Sequence, residues 1–481
     1  MPRQRAADAP RIVHRTSRIA LRTTSAQRRR CFGLLRSGGD VWATVLDFNE
    51  IRRRNGATLV VTYQGLCREL AVAGAGCFGE LSSVGARSIL RRYADAWMSA
   101  AKRRGAGDTR ARYPRRKKAL VPSRYYAGTF SLNGRHLTLP TARGAAPLLL
   151  RLTRDVPYEP STVRAVTLVA DGHRLSVDVT AEVPVDWYAV GTGPDPEQSA
   201  GVDLGIIHLY ALADQEGALL VSGRALRAES RLHLAESKAR SRAATRRAPS
   251  RGQRGSRRWR RYRARTKVLE ARHQRRLKQA RHEAARAVVD YALERRIGTL
   301  VVGDPRGLLR RNAGVRQNRA ISEWGVGQLI SSLTDKAEVA GIAVVLVDER
   351  GSSSTCPRCA GPVPKPKGRS FSCPACHLNA HRDIVGAANI ASRSPRGGIV
   401  IDPAGLATMH RRAGQHLPGR TRRDPRRVAM GNRARSKGLW PAVARPFAVP
   451  QDADGESLAL DIDPSAARNR IPSLIQGEGN W

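Results

Sequence analysis

The chain has 481 residues and carries 85 lysines and arginines against 40 aspartates and glutamates, a formal net charge of +45. This length indicates about two to four domains. A surface this basic needs a polyanionic partner, and nucleic acid fits best because each neutralised phosphate releases counterions. A membrane is disfavoured, since no run of about 18 apolar residues occurs and the N-terminus lacks the apolar core of a signal peptide. We therefore expect a soluble intracellular protein.

The N-terminal part of the chain changes its pattern twice. Residues 12–23 alternate apolar and polar side chains, which predicts a strand, whereas residues 83–104 place their apolar side chains on one helical face. Two later runs contain an "NG" and a "DG" turn and predict β-hairpins. We expect a small β-barrel or antiparallel sheet interrupted by a helical insert. The predicted segments are 1–36 for the first part of the barrel, 37–115 for the insert and 116–195 for the rest of the barrel.

The next segment, 196–395, begins after a polar linker, "GTGPDPEQSA", with a predicted strand, turn and strand in "GVDLGIIHLYALADQEGALL". The stretches "IGTLVVGD" and "GIAVVLVDE" predict two short buried strands separated by one helix, an arrangement that makes them parallel neighbours. "HRDIVGAANIASR" predicts a closing helix. Residues 396–481 lack clear periodicity and are expected to form a loose, basic tail.

An arginine-rich arm occupies residues 224–292, and Pro249 and Gly252 divide it into a predicted helical hairpin. Charges of one sign this dense repel each other unless a polyanion is present, so we expect phosphate binding. A solvated charged helix is the alternative. The aromatic residues could stack on bases or pack within the hairpin. The candidate nucleic-acid-binding residues are Arg257, Arg258, Trp259, Arg260, Arg261 and Tyr262.

Two CxxC pairs lie close together in the C-terminal half. Cys356 and Cys359 precede Cys373 and Cys376 by a thirteen-residue spacer. Four thiolates in two such knuckles form a tetrahedral cage, so we predict one structural Zn²⁺ in a ribbon spanning 352–378. The nearby histidines, 377 and 381, are surplus to a complete Cys₄ set and are assigned non-ligand roles. The other three cysteines have no ligand spacing.

Two aspartates occupy positions that could serve phosphodiester chemistry. Asp203 lies in the strand "GVDLG", and Asp383 lies on the closing helix just after the second knuckle. Hydrolysis with two Mg²⁺ ions needs carboxylates that converge on the same point. Either aspartate by itself is more often a helix cap or a solvated residue.

The order of these motifs resembles the RuvC-like nuclease of the transposon-encoded TnpB family and of its descendants, the type V CRISPR effectors. The resemblance covers residues 199–392, and its most specific part is the zinc motif followed at once by "HRD" and "AAN". It implies an α+β multidomain protein with an RNase H-like (RuvC) nuclease around an inserted zinc ribbon. It further implies a guide RNA, a double-stranded DNA target, a bacterial cytoplasmic setting, and Asp203 and Asp383 as two of three acids that bind catalytic Mg²⁺.

One position departs from the family, which usually has glutamate where this chain has Gly303. The adjacent Asp304 points to the opposite face of the strand. If the two predicted strands are parallel neighbours, Glu349 at the end of the second could reach the same metal, and Gly303 would leave room for it. This resembles rearranged TnpB sites in which the glutamate is displaced. Asp348 is a lesser candidate, as is Glu323, which we expect near a helix N-terminus.

These observations leave three functions open. The first is an RNA-guided, Mg²⁺-dependent DNA endonuclease with Asp203, Glu349 and Asp383 as its acids. The second is a nuclease-inactive RNA-guided DNA-binding protein or repressor, inactivated at Gly303. The third is a DNA transposase, which shares the RNase H-like fold but explains neither the zinc insert nor the large N-terminal half.

Overall fold

The computed structural model describes residues 11–72, 78–115, 119–172, 174–186, 188–189, 191–306, 314–364, 368–395 and 397–417. The chain forms two units. One comprises Met1–Arg224 and Gln274–Gln415, and the other Ala225–His273 and His416–Trp481. No described helix is both long enough and apolar enough to cross a membrane.

The N-terminal strands form one seven-stranded sheet in the order β2-β6-β7-β1-β5-β4-β3, and all of its pairs are antiparallel. The predicted "NG" and "DG" turns are present, with Gly134 and Gly172 at φ values of 54° and 66°. Among the described residues, β2 and β3 are the two edge strands of this sheet and do not pair with each other. Closure into a barrel therefore stays a prediction. The strands are β1 Ile12–Arg22, β2 Arg124–Tyr126, β3 Ser131–Asn133, β4 His136–Leu139, β5 Leu148–Leu152, β6 Val163–Asp171 and β7 Arg174–Pro184.

Among the described residues, three helices lie between β1 and β2, in the region where a helical insert was predicted. The insert begins at residue 25, twelve residues earlier than predicted, because Thr24 and Gln27 form a capping box that starts the first helix directly after β1. The predicted apolar face of the third helix is confirmed, since Ile89, Leu90 and Tyr93 are buried. The helices are α1 Ser25–Arg54, α2 Tyr63–Val72 and α3 Ser83–Gly105.

A second sheet has the order β12-β11-β8-β9-β10-β15. The strands β12, β11 and β8 are mutually parallel, which confirms the predicted strand–helix–strand unit, and β9 is antiparallel to both of its neighbours. Two details differ from prediction. β8 begins inside the expected linker because Asp195 N–H bonds to Arg296 O at 2.7 Å, and β12 is a partly exposed edge strand. The strands are β8 Asp195–Asp203, β9 His208–Ala213, β10 Gly217–Ser222, β11 Ile297–Asp304, β12 Ala343–Asp348 and β15 Ala407–Arg412.

The helix between β11 and β12 is divided in two. Gly325 adopts a left-handed φ of 69° and ends α6, Val315–Trp324, immediately before α7, Val326–Val339. Glu323 therefore lies near the C-terminus of α6, paired with Arg319 at 3.4 Å, and the expectation of a helix N-terminal position was wrong.

The predicted closing helix, α8 Arg382–Ala391, packs very closely on the second sheet. A Cβ atom on Gly201 of β8 would lie only 1.9 Å from the carbonyl oxygen of Ala387. Only glycine in the strand and small residues on the helix permit this approach. Glycine and alanine in the two motifs therefore determine how closely the strand and the helix can place their aspartates.

The expected loose tail is ordered in its first part. Ile401 and Leu417 are buried, and β15 adds to the sheet in parallel with β10. This part was predicted wrongly because a single exposed edge strand has little apolar alternation, and its partner lies almost two hundred residues away. Residues 418–481 lie outside the described part of the chain.

The arm forms the predicted helical hairpin, from α4, Arg224–Arg246, to α5, Arg257–Glu294. Its helices are separated at the residues that include Pro249 and Gly252. Within the second unit, Trp259 Nε1 donates to Ala244 O at 3.1 Å, so an aromatic side chain of α5 packs on α4.

Candidate active site

Asp203 and Asp383, although 180 residues apart, lie together where β8 ends and α8 begins. Gly386 lies one helical turn after Asp383, and a Cβ atom there would be 2.9 Å from Asp203 Oδ2. Burial, followed by the negative charge of Asp383, raises the pKa of Asp203 to about 7. The contact between the glycine-containing strand and the helix thus brings the two predicted acids to one point.

Glu349 lies over Gly303, in the space that a side chain at position 303 would occupy. A Cβ atom on Gly303 would be 3.0 Å from Glu349 Cβ and 3.4 Å from Glu349 Oε2. The strand register explains this position, because Gly303 pairs with Val347 and Glu349 follows just beyond the end of β12. The structure therefore places Glu349 where the sequence predicted it, and its role as a ligand stays a prediction.

The Glu349 carboxyl is electrostatically linked to the aspartates. Burial, and then the negative charges of Asp203, Asp304 and Asp348, raise the pKa of Glu349 to about 8. Its Oε2 is buried and has no hydrogen-bond partner among the described residues. A buried oxygen without a partner beside other carboxyls is an unfavourable arrangement unless a cation or a proton joins it.

The two neighbouring acids have partners of their own. Asp304 accepts from Arg306 Nη2 at 2.6 Å, and this hydrogen bond lowers its pKa. Asp348 accepts from the backbone N–H of Arg350 at 3.0 Å. Asp304 is thus a poor substitute for the missing glutamate, as the strand geometry predicted.

Two further residues contact Asp383, and sequence analysis assigned neither of them to the site. His208 Nδ1 lies 2.8 Å from Asp383 Oδ2, and Arg369 Nη1 lies 2.6 Å and 2.7 Å from the two carboxylate oxygens. Burial opposes ionisation of Asp383, but the His208 hydrogen bond and the Arg369 charge outweigh it and lower the pKa. His208 could have been noticed, since it lies five residues after Asp203 in the quoted motif. Arg369 carried no sequence signal.

His381 caps α8 and belongs to the same cluster. Its Nδ1 accepts the backbone N–H of Asp383 at 3.2 Å, and its ring centroid lies 5.2 Å from that of His208. The ligand atoms of His208, His381 and Asp383 all lie within 4.8 Å of one another. The non-ligand role assigned to His381 from the sequence stays a prediction, and this cluster is the observation that speaks against it.

The donor set fits a hard divalent cation. Asp203, Glu349 and Asp383 supply carboxylate oxygens, the ligands that Mg²⁺ prefers. Closely spaced carboxyls without a cation between them have raised pKa values, as Asp203 and Glu349 do. Glu349 Oε2, which has no hydrogen-bond partner among the described residues, is then available to a cation.

The four predicted cysteines form one compact cluster that could hold a metal ion. Cys356 Sγ lies 3.5 Å from Cys376 Sγ, and Cys359 Sγ lies 3.6 Å from Cys373 Sγ. Sulfurs of a tetrahedral zinc site, each about 2.3 Å from the metal, are separated by about 3.8 Å. A short antiparallel hairpin of β13, Ser370–Ser372, and β14, Asn379–His381, holds the second knuckle between its strands. His377 lies in the second knuckle with a left-handed φ of 56°.

The candidate nucleic-acid residues divide into two groups. Arg257, Arg258 and Arg261 are exposed. Trp259 and Tyr262 are half-buried, and the Tyr262 hydroxyl donates to Arg240 O at 3.3 Å, as Trp259 does to Ala244. The two aromatic residues therefore pack within the hairpin, which was the alternative to base stacking.

Known proteins resemble both parts of this site. Residues 176–309 match a family described as "Probable transposase", and residues 327–390 match the family "Cas12f1-like, TNB domain". No curated protein matches the chain significantly.

Among solved structures, the Cas12f1-sgRNA-target DNA complex matches with a TM-score of 0.50 and 13% identity over 77% of this chain and 82% of the other. The mini-RNA-guided endonuclease CRISPR-Cas_phi3 matches with a TM-score of 0.38 and 12% identity over 79% and 92%. C2c1 of Alicyclobacillus acidoterrestris matches with 0.35 and 11% over 68% and 62%. The family matches include Asp203, Glu349, Asp383 and the four cysteines, and they support the resemblance to TnpB-like proteins.

Proposed function

We propose that this protein is an RNA-guided, Mg²⁺-dependent DNA endonuclease with an RNase H-like (RuvC) centre. The observation that carries the proposal is the position of Glu349 over Gly303, where its charge interacts with that of Asp203, which interacts in turn with Asp383. It supplies a third carboxylate at a site that the sequence left with two. The Cas12f1 neighbour was solved with a guide RNA and target DNA, and we extend those two partners to this chain.

The three acids would hold the cations, with Asp203 between Glu349 and Asp383. When bound, a pair of Mg²⁺ ions would activate a water molecule and stabilise the leaving oxygen of the cleaved phosphodiester. Asp203 and Glu349 retain protons near neutral pH without a cation and must release them to bind one. His208 and Arg369 both contact the Asp383 carboxylate.

The other two candidate sites would serve this centre. A Zn²⁺ ion held by Cys356, Cys359, Cys373 and Cys376 would stabilise the ribbon, because a loop this short cannot bury enough apolar surface by itself. The exposed arginines of the arm would bind phosphates of the guide RNA or of the DNA.

The test is cleavage of matched DNA in Mg²⁺ by the protein co-expressed with the RNA transcribed from the end of its element. Asp203→Ala, Glu349→Ala and Asp383→Ala should each abolish cleavage while guide and target binding remain. Asp348→Asn is the matched control, because this neighbouring acid accepts a backbone N–H and should remain dispensable. Full cleavage by Glu349→Ala would refute the proposed acid set.

A nuclease-inactive RNA-guided binding protein is the second candidate, favoured by the absence of an acid at Gly303 itself. It predicts that the wild-type complex binds matched DNA and leaves it intact in both Mg²⁺ and Mn²⁺. The two candidates are therefore separated by the wild-type protein alone.

A further inference from the structure

Two histidines and one carboxylate lie within coordination distance of one another at the start of α8. The atoms of His208, His381 and Asp383 that could bind a metal are all within 4.8 Å. We propose that this trio forms a mixed nitrogen and oxygen site that selects Mn²⁺ over Mg²⁺. The inference deepens the proposed function, since it assigns two further ligands and a metal preference to the Asp383 side of that centre.

The distance between His208 and Asp383 fits two ligands of a single ion. Two ligand atoms about 2.1 Å from an octahedral ion and about 90° apart are separated by about 3 Å. His208 Nδ1 and Asp383 Oδ2 are 2.8 Å apart. A cation could therefore replace the proton that these two atoms now share, with little movement of either side chain.

Rigid elements hold the trio in position. His208 is the first residue of β9 and is only 8% exposed, while Asp383 is 7% exposed. The turn before His208 is tight, since a Cβ atom on Gly205 would lie 2.6 Å from the His208 carbonyl oxygen. His381 is fixed as the N-cap of α8. Such preorganised ligands lose little conformational entropy when an ion binds.

The chemistry of imidazole sets the preference. Mg²⁺ favours oxygen ligands and retains its water, whereas a first-row transition ion also gains from imidazole nitrogen, and Mn²⁺ is the member of that series that gains least. A site of carboxylates alone gives Mn²⁺ a small advantage. Two imidazoles beside Asp383 should increase that advantage.

Arg369 competes with any cation at this position. Its Nη1 lies 2.6 Å and 2.7 Å from the two oxygens of Asp383. Its side chain is 37% exposed and long, so it can turn toward solvent when an ion arrives. Because a guanidinium repels Mg²⁺ and Mn²⁺ alike, Arg369→Gln should strengthen binding of both ions by the same factor.

The alternative is that His208 only orients Asp383 through its hydrogen bond. That role predicts that His208→Asn weakens Mg²⁺ and Mn²⁺ binding in equal proportion. Direct ligation predicts a larger loss for Mn²⁺ than for Mg²⁺. The ratio of the two affinities therefore separates a ligand from a positioning residue.

The experiment uses the full-length, zinc-loaded chain without RNA, with Mn²⁺ as the probe and Mg²⁺ as competitor. Electron paramagnetic resonance gives the bound fraction of Mn²⁺, and electron spin-echo modulation detects nitrogen bound directly to it. We expect a nitrogen coupling in the wild type. His208→Asn should weaken the coupling and reduce the Mn²⁺ to Mg²⁺ affinity ratio about 10-fold, whereas His377→Gln, a histidine outside the trio, should leave both unchanged.

Absence of Mn²⁺ binding, absence of nitrogen coupling in the wild type, or an unchanged affinity ratio in His208→Asn would overturn the inference. The wild-type spectrum stands even if the variant fails to fold. None of these readouts requires cleavage. An active Mg²⁺ nuclease without nitrogen coupling would remove only this inference, and nitrogen-coupled Mn²⁺ in an inactive protein would remove only the nuclease proposal.

Discussion

Glu349 lies directly over Gly303, against the position that a side chain of residue 303 would take. The Glu349 carboxylate lies 3.4 Å from the point where a Cβ atom of residue 303 would stand, at the ends of two parallel strands. A side chain at position 303 and the present position of Glu349 exclude each other. The glycine is thus compatible with an acid supplied from the neighbouring strand. The residue at position 303 therefore does not by itself decide whether the site has a third acid.

Gly303→Ala should destabilise the protein and impair the site together. The new Cβ atom would lie 2.7 Å from Ile390 Cδ1 and 3.0 Å from Glu349 Cβ, so both neighbours must move. Overpacking of this kind costs about 1–3 kcal/mol in the free energy of unfolding, and displacement of Glu349 should reduce cleavage. Urea unfolding and DNA cleavage measure the two effects.

Gly327→Ala is the matched control for that variant. It lies within α7, where a new Cβ atom would have open space, so it should leave cleavage unchanged and stabilise the helix by about 0.5–1 kcal/mol. Equal behaviour of the two variants would mean that the space over Gly303 has no importance.

Stability of the protein without Mg²⁺ should fall as pH rises from about 4 to about 8. Asp203 and Glu349 have pKa values of about 7 and about 8 in the folded state, against ordinary values near 4 in the unfolded chain. Through that window the folded state holds protons that the unfolded state has released. The free energy of unfolding therefore decreases with pH, by at most about 1.4 kcal/mol per pH unit for each group.

Urea titrations at several pH values in Mg²⁺-free buffer measure this slope. Saturating Mg²⁺ should stabilise the protein most at high pH, because the ion replaces the protons. Glu349→Gln, which cannot titrate, should show a shallower slope than the wild type. An identical slope would show that Glu349 does not hold its proton over this range.

Loss of the zinc site should also disable the acid site. The ribbon supplies Arg369, whose carbonyl accepts the N–H of Arg382 at 2.8 Å, and Phe371, which packs with Val385 of α8. Cys373→Ser should therefore lower zinc content, thermal stability and cleavage together. Metal analysis, calorimetry and cleavage assays measure these changes.

Cys67→Ser provides the control, since Cys67 lies in α2 away from the cysteine cluster. It should retain one zinc ion per chain and full cleavage. A Cys373→Ser protein with normal zinc content would contradict the proposed cage.

The exposed arginines of the arm should govern affinity for nucleic acid. Replacing Arg257, Arg258 and Arg261 by Gln should weaken RNA binding. It should also reduce the slope of log affinity against log salt concentration by up to the amount expected for about three phosphate contacts. Trp259→Ala should instead destabilise the hairpin, because it removes a packed ring and its hydrogen bond to Ala244. Binding at several salt concentrations, compared with thermal unfolding, distinguishes the two roles. Unchanged affinity and salt slope in the triple variant would leave the arm a solvated surface.

The sequence by itself determined the parts that depend on local spacing. The knuckles containing Cys356 and Cys373, the "NG" and "DG" hairpin turns, the broken arm and the two motif aspartates were all predicted and lie where expected. Each rests on a short stretch whose chemistry or periodicity is sufficient in itself. Gly201 is one such local signal with a long-range consequence, since its missing side chain admits α8.

Only the tertiary structure decided which side chains surround those aspartates. Arg369 and His208 reach Asp383 through a ribbon and a neighbouring strand, and β15 joins a sheet whose partner strand lies far away in the chain. Strand register and the approach of a helix to a sheet sum many distant contacts, and no local pattern encodes that sum. Glu349 was predictable only because the parallel pairing of its strand could be assumed. The sequence thus indicated the candidate acids, and packing determined what each of them touches.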